Sequence, residues 1–226
     1  MLKKIFNKLH ILHNIYIKHK SFIKKKSYSL DGEDLFVEKY FRKKLTGIYV
    51  DVGCYNPVYL NNTYLLHKKK WKGINIDTSQ FSIDLFNYMR PNDLNYNCAI
   101  SNKDEDVKLY FQKDFSLLNT IQIDYAKKFM QGNIKEKTIK AFTLDKILNE
   151  SIYKNSKIDF LDIDIEGADL KALEGLSLDK FKPELICVEI HEKEIDRSEL
   201  YKFLINKKYD LIWSSVFSHI FKSSQN

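Results

Sequence analysis

Five short apolar runs in this sequence end in groups that can do chemistry. The first closes as Asp51-Val52-Gly53-Cys54-Tyr55-Asn56-Pro57, and the second closes on Asp77. A Gly directly behind a strand lets the backbone turn tightly and lets a ligand approach. An acid at the end of the next strand can accept the ribose hydroxyls of an adenosine-containing cofactor. The third run, Asn97-Cys98-Ala99-Ile100, offers small and apolar side chains that suit a flat adenine ring or plain core packing. The fourth, Asp159-Phe160-Leu161-Asp162-Ile163-Asp164-Ile165-Glu166-Gly167, sets three acids on alternate positions, hence on one strand face. So many buried carboxylates are unfavourable without partners, a metal or a function. Asp164, at the end of the run, is the strongest single candidate. The fifth run ends Val188-Glu189-Ile190-His191-Glu192. Adjacent strands would bring Asp164 and Glu189 together, a pair able to hold Mg2+ or another divalent ion.

These ends need strands and helices to hold them. Gly47–Gly53, Gly73–Asp77, Asn95–Ile100, Lys157–Ile165 and Leu185–Ile190 read as strands. Between them, 35–41, 61–67, 79–89, 143–149, 168–173 and 197–207 read as helices, the third stopped by Arg90-Pro91. Val107–Phe111 alternates as an edge element, and 113–140 is the least patterned stretch, a candidate lid or acceptor-binding insertion. Tyr209–Trp213 and Val216–Phe221 leave no room for a crossover helix, so they are antiparallel neighbours. The expected fold is α/β: a mainly parallel sheet with helices on both faces and an antiparallel C-terminal strand pair.

The charge is uneven. Residues 1–30 hold eight lysines and no acid, which leaves twenty-nine basic against thirty acidic side chains over the body. The net +7 therefore belongs to a basic N-terminal arm, residues 1–27, and gives no support to a nucleic-acid partner for the body. Leu2, Ile5, Phe6, Leu9, Leu12 and Tyr16 form a helical stripe in that arm. It suits a peripheral membrane contact, a partner, a second copy, or packing on its own domain. No run of about 18 uncharged apolar residues exists, no signal peptide is evident, and three single cysteines offer no disulfide framework. The expected location is the cytoplasm, at the inner face of the membrane if the arm docks there.

Seven blocks then carry a resemblance. SYSLDGEDLFVEKYF, GIYVDVGCYNP, NNTYLLHKKKWKGINID, NCAIS, FTLDKIL, IDFLDIDIEGADLKALEGL and PELICVEIH run in this order across residues 28–222 and resemble the FkbM-type methyltransferases. The resemblance implies a class I, Rossmann-like methyltransferase domain over 28–226. It also implies S-adenosylmethionine as cofactor and transfer to oxygen, with polyketide or sugar hydroxyls and surface-polysaccharide or secondary-metabolite precursors as acceptors. Residue by residue, it puts Asp51, Gly53, Cys54 and Tyr55 in the cofactor loop and Asn62 and Thr63 in the block that follows. Asp77 falls on the ribose, Ala99 and Ile100 by the adenine, and Asp164, Glu166 and Gly167 in an Ile-Asp-x-Glu-Gly block. Leu30, Asn61, Lys70 and Asp162 depart from the usual Gln, Ser, Gly and Ser.

Methyl transfer from a sulfonium is an in-line displacement in which positioning supplies much of the acceleration. A hydroxyl acceptor must also lose its proton, and His191, Glu166 and Asp164 are the candidate bases. Aromatic residues and lysines of 113–140, Phe115, Tyr125, Phe129, Lys127 and Lys128 among them, suit an anionic or nucleotide-linked saccharide. The rivals are a different nucleotide-binding enzyme, disfavoured by the missing GxGxxG, and a non-catalytic Rossmann-like protein recruited by its arm.

Overall fold

The computed structural model describes residues 2–224; Met1, Gln225, Asn226 and the side chains of Leu2, Lys3 and Lys4 lie outside that description. A seven-stranded sheet forms the centre. Its strands are β1 (Ile48–Val52), β2 (Lys72–Asp77), β3 (Leu94–Asn97), β7 (Phe160–Ile163), β8 (Leu185–Glu189), β9 (Tyr209–Ser214) and β10 (Ser218–Ser223). Their order is β3-β2-β1-β7-β8-β10-β9. The first five run parallel, and β10 is antiparallel to both β8 and β9. The expected C-terminal pair is present, but its second strand inserts beside β8 and leaves β9 at the edge. The chain moves outward from β1 through β2 to β3, then resumes on the other side of β1 at β7. Ligands of such sheets bind beyond the strand carboxyl ends at that reversal.

Alternate strand residues feed two cores. Val50, Val52, Ile74, Ile76, Leu161, Ile163, Ile186 and Val188 pack on one face. Against them lie α6 (Leu144–Glu150), α7 (Asp169–Glu174), α8 (Leu178–Phe181) and α9 (Glu199–Asn206). Tyr49, Phe160, Leu185, Cys187 and Ile220 pack on the other face against α2 (Glu33–Tyr40), α3 (Tyr64–Lys68) and Trp71. Burial on both faces is why the parallel strands read as continuous apolar runs. Ser79 and Thr143 cap α4 (Gln80–Met89) and α6, accepting from the backbone N–H of Ser82 and Lys146.

Three expectations change. The run Asn95–Ile100 splits: β3 ends at Asn97, and β4 (Ala99–Ile100) leaves for a second, three-stranded sheet. That sheet pairs β4 with β6 (Lys135–Phe142) in parallel and β6 with β5 (Glu105–Phe111) antiparallel. The stretch 113–140 therefore contains α5 (Ile123–Phe129) and most of a strand. Residues 61–63 precede α3 rather than belonging to it, and β7 is confined to Phe160–Ile163, so Asp159 and Asp164 flank it.

The arm also differs. It forms α1 (Leu2–Leu12) and a π-helical segment, His13–Lys18. Its body-facing side consists of Ile11, Asn14 and Ile15, packed on Leu85 of α4. The stripe residues Ile5, Phe6 and Leu9 are exposed, and Tyr16, also exposed, meets Tyr88 of α4 through its hydroxyl. No helix among the described residues is long and apolar enough to cross a membrane.

Candidate functional site

A cleft of about 580 Å³ opens at the carboxyl ends of β1, β2 and β7. Gly53, Tyr55, Asp77, Ala99, Ile100 and Asp164 line it, each a residue singled out by the sequence. Gly53 has φ +86°, and a Cβ there would overlap the carbonyl oxygen of Asp164. Only glycine lets these two strand ends come so close. Tyr55 turns in the left-handed region at φ 47°. Its backbone N–H donates to Asp77 Oδ2 at 2.9 Å, and Ser79 N–H donates to Oδ1 at 2.7 Å. Burial raises Asp77 to about 6 against those two hydrogen bonds, and burial with the nearby Asp51 charge raises Asp164 to about 6. The insertion roofs the cleft: Leu117, Thr120 and Ile121 line it, and Phe115 stacks on Tyr55 at 4.5 Å.

Four predicted cofactor residues stand behind this wall. Asp51 is buried and accepts from Thr63 Oγ1 at 2.7 Å and Asn61 Nδ2 at 3.0 Å. Thr63 is itself fully buried. Asn62 donates to the buried Asp162 at 3.0 Å. Cys54 packs on Ile83 and Phe86. These residues shape the loop from behind and do not line the cleft.

At the centre of that support lies Arg90, 1% exposed. It donates to Thr63 Oγ1 at 2.8 Å, Asn61 Oδ1 at 2.7 Å, Tyr49 OH at 3.3 Å and the Pro57 carbonyl, with its guanidinium over Phe86. Tyr49 OH in turn donates to the buried Asp93. Asn56, also buried, accepts from the backbone N–H of Val58 and Tyr59 and donates to Asn14 of the arm at 3.1 Å. The sequence offered Arg90 only as a helix stop.

A second, open groove of about 1040 Å³ adjoins the cleft. The turn between Asp164 and Asp169 walls both: Asp164, Ile165 and Ala168 face the cleft, and Gly167 and Asp169 face the groove. Glu166 takes φ 56° and Gly167 φ 86°, and Thr120 Oγ1 donates to the Glu166 carbonyl at 2.8 Å. A non-glycine residue in that region stores roughly 1–2 kcal/mol of strain, a feature that clusters at functional sites.

His191 stands in the groove. Its Nε2 lies 2.9 Å from Tyr125 OH and 2.9 Å from Glu189 Oε2, and Phe129 and Phe217 flank the ring. The Glu189 contact is close but not a hydrogen bond, so Oε2 is left without one. Burial, then the Lys128 charge, hold His191 below its ordinary value, so it is neutral and able to accept a proton at pH 7. Burial and the neighbouring acids push Glu166 up to about 8 and Glu189 up to about 9.

Donor atoms of Glu166, Glu189 and His191 lie within 4.8 Å of one another, a set that could hold a divalent ion. The sequence paired Asp164 with Glu189; the geometry groups Glu189 with Glu166 and His191 instead. From the insertion, Tyr125, Lys128 and Phe129 line the groove, while Phe115 belongs to the roof of the cleft. A family model described as "Methyltransferase FkbM domain" matches residues 51–212. No curated protein matches the chain.

Proposed function

Because the chain belongs to the FkbM methyltransferase family, we propose that it transfers the methyl group of S-adenosylmethionine to a hydroxyl oxygen of a saccharide or related precursor. The observation that carries this reading is the one turn, Asp164–Asp169, shared by the cleft and the wider groove. The cofactor takes the cleft, with its ribose on Asp77 and its adenine against Ala99 and Ile100. The acceptor takes the groove. The methyl group crosses at the turn, where roof and sheet hold the two reactants in line.

His191 is the proposed base. It is neutral at physiological pH and faces the groove beside Tyr125 and Glu189. Its Nε2 takes the hydroxyl proton as the oxygen attacks the methyl carbon, and the sulfonium leaves as neutral thioether. Glu166 and Asp164 form the acidic floor beneath it. Asp164, largely ionised at pH 7, favours binding of the cationic sulfonium, while Glu166 holds its proton there.

A second reading gives Glu166, Glu189 and His191 a divalent ion, which would orient and acidify the hydroxyl. Chelation separates the two: a His191 base leaves turnover unchanged in excess EDTA, whereas an ion-dependent enzyme stops. The test of the function itself is ligand choice. S-adenosylmethionine should raise the melting temperature where NAD does not. S-adenosylhomocysteine should then be released in step with methylated acceptor. Stabilisation by NAD alone would overturn the proposal.

A further inference from the structure

We infer that the outward face of the N-terminal arm docks on an anionic membrane surface. Two independent features of the arm meet on that face. The first is apolar: Phe6 is 67% exposed, Ile17 65% and Phe22 65%, with Ile5, Leu9, Tyr16 and Ile23 also exposed. The second is charge: Lys8, Lys20, Lys24, Lys25 and Lys26 are all exposed, and residues 1–30 contain no acid. Phenylalanine, leucine and isoleucine among lysines are what an interfacial helix buries and presents, respectively, at the headgroup boundary.

The arm is not free to fold this face back. Its other side is already occupied, with His10 stacked on Phe81 at 4.2 Å, Asn7 donating to Asp84 at 2.7 Å, and Ile11 and Ile15 buried on α4. The body is near neutral, so it offers no counter-charge for these five lysines. A second copy docking face to face would set two lysine arms against each other. An anionic lipid surface supplies both the apolar phase and the missing negative charge, worth about fivefold in partitioning per lysine near it.

The docked arm reaches the cofactor loop directly. Asn14 hydrogen-bonds Asn56, next to Tyr55, and Lys18 lies over Phe115 of the roof at 5.7 Å. A membrane contact here therefore places the catalytic domain at the surface through a rigid joint rather than a tether.

The experiment is flotation of the full chain with vesicles. Vesicles of phosphatidylcholine carrying about 30% phosphatidylglycerol are compared with pure phosphatidylcholine. At least tenfold more protein should float with the anionic vesicles, and raising salt from about 0.1 to 0.5 M should reduce it. Phe6→Ser with Ile17→Ser should lower binding at least tenfold, because two exposed apolar anchors are lost. Lys20→Glu with Lys24→Glu should do the same through charge. Both pairs are exposed, so an unchanged melting temperature shows that the fold persists. Equal flotation with neutral and anionic vesicles, or full binding by the Phe6/Ile17 variant, overturns the inference. So does a wild-type dimer that this variant splits while neither form floats, which assigns the face to a second copy. None of these readouts depends on methyl transfer.

Discussion

Replacing Arg90 should unfasten the cofactor loop without touching the cleft. The guanidinium is buried and donates to Thr63, Asn61, Tyr49 and Pro57, which come from three separate segments. Charged hydrogen bonds contribute about 1.5–3 kcal/mol each, but they do not sum. Removing one partner of a buried charged network destabilises by about 3–5 kcal/mol. Arg90→Met keeps the packing on Phe86 and removes a charged donor from four acceptors, so about 3–5 kcal/mol is expected, a large share of a typical 5–15 kcal/mol.

Arg90→Lys keeps the charge but not the fork, and should lose about 2–3 kcal/mol. The assay is urea unfolding, combined in a cycle with Asp51→Asn. The Arg90 charge acts against the burial that raises Asp51, so the two substitutions should couple by about 1–3 kcal/mol. Cofactor affinity should fall with Arg90→Lys although the residue is absent from the cleft. A loss under about 1 kcal/mol for Arg90→Met, or additivity within about 0.5 kcal/mol, would refute the account of Arg90 as the hub of the loop.

Asp77→Asn should weaken S-adenosylmethionine about 10- to 100-fold by titration calorimetry, as expected for a lost charged hydrogen bond. Asp77 titrates at about 6 in the folded chain, above its ordinary 3.8, so the folded state holds the proton more tightly. Its contribution to stability is greatest below pH ~4 and declines as pH rises to ~6. Asp77→Asn should accordingly raise the melting temperature at pH 8 and leave it nearly unchanged at pH 4. His191→Asn should slow methyl transfer about 10²- to 10⁴-fold while cofactor affinity holds. With His191 held below its ordinary value, the wild-type rate should be flat above pH 7 and drop in the acid limb; a flat profile to pH 5 would remove His191 as base. Gly53→Ala should lose about 2–4 kcal/mol in denaturant unfolding, from the left-handed φ and the overlap with Asp164 together.

The strand-end chemistry was legible because it obeys local rules. Asp77, Gly53 and Asp164 sit where a buried apolar run stops, and the sheet brings such stops to one edge. Glu189 and His191 followed from the adjacency of β7 and β8. Arg90 was not legible, since its meaning lies in acceptors contributed by Tyr49, Pro57, Asn61 and Thr63, 27 to 41 residues earlier in the chain. Strand β6 was hidden for a different reason. Lys135, Glu136, Lys137 and Thr138 are all exposed, so no apolar alternation marks them until Ile139. The arm's strongest signal left its contact open. Most of its regular stripe is exposed, and the body is met by Ile11, Asn14 and Ile15, which the stripe passes over.

The insertion of β10 between β8 and β9 also constrains how the chain is made. Strand β8 pairs with β7 on one side and waits for β10 on the other. During synthesis, α9 and β9 are translated before β10, and β9 joins the sheet only through β10. Until Ser218–Ser223 has been translated, the Leu185–Glu189 edge is an unpaired, apolar strand rim, the kind that recruits other chains. A stop within residues 209–217 thus leaves a chain that carries the proposed catalytic residues yet has an open sheet. Shortened products of that kind should need chaperones far more than the finished chain does.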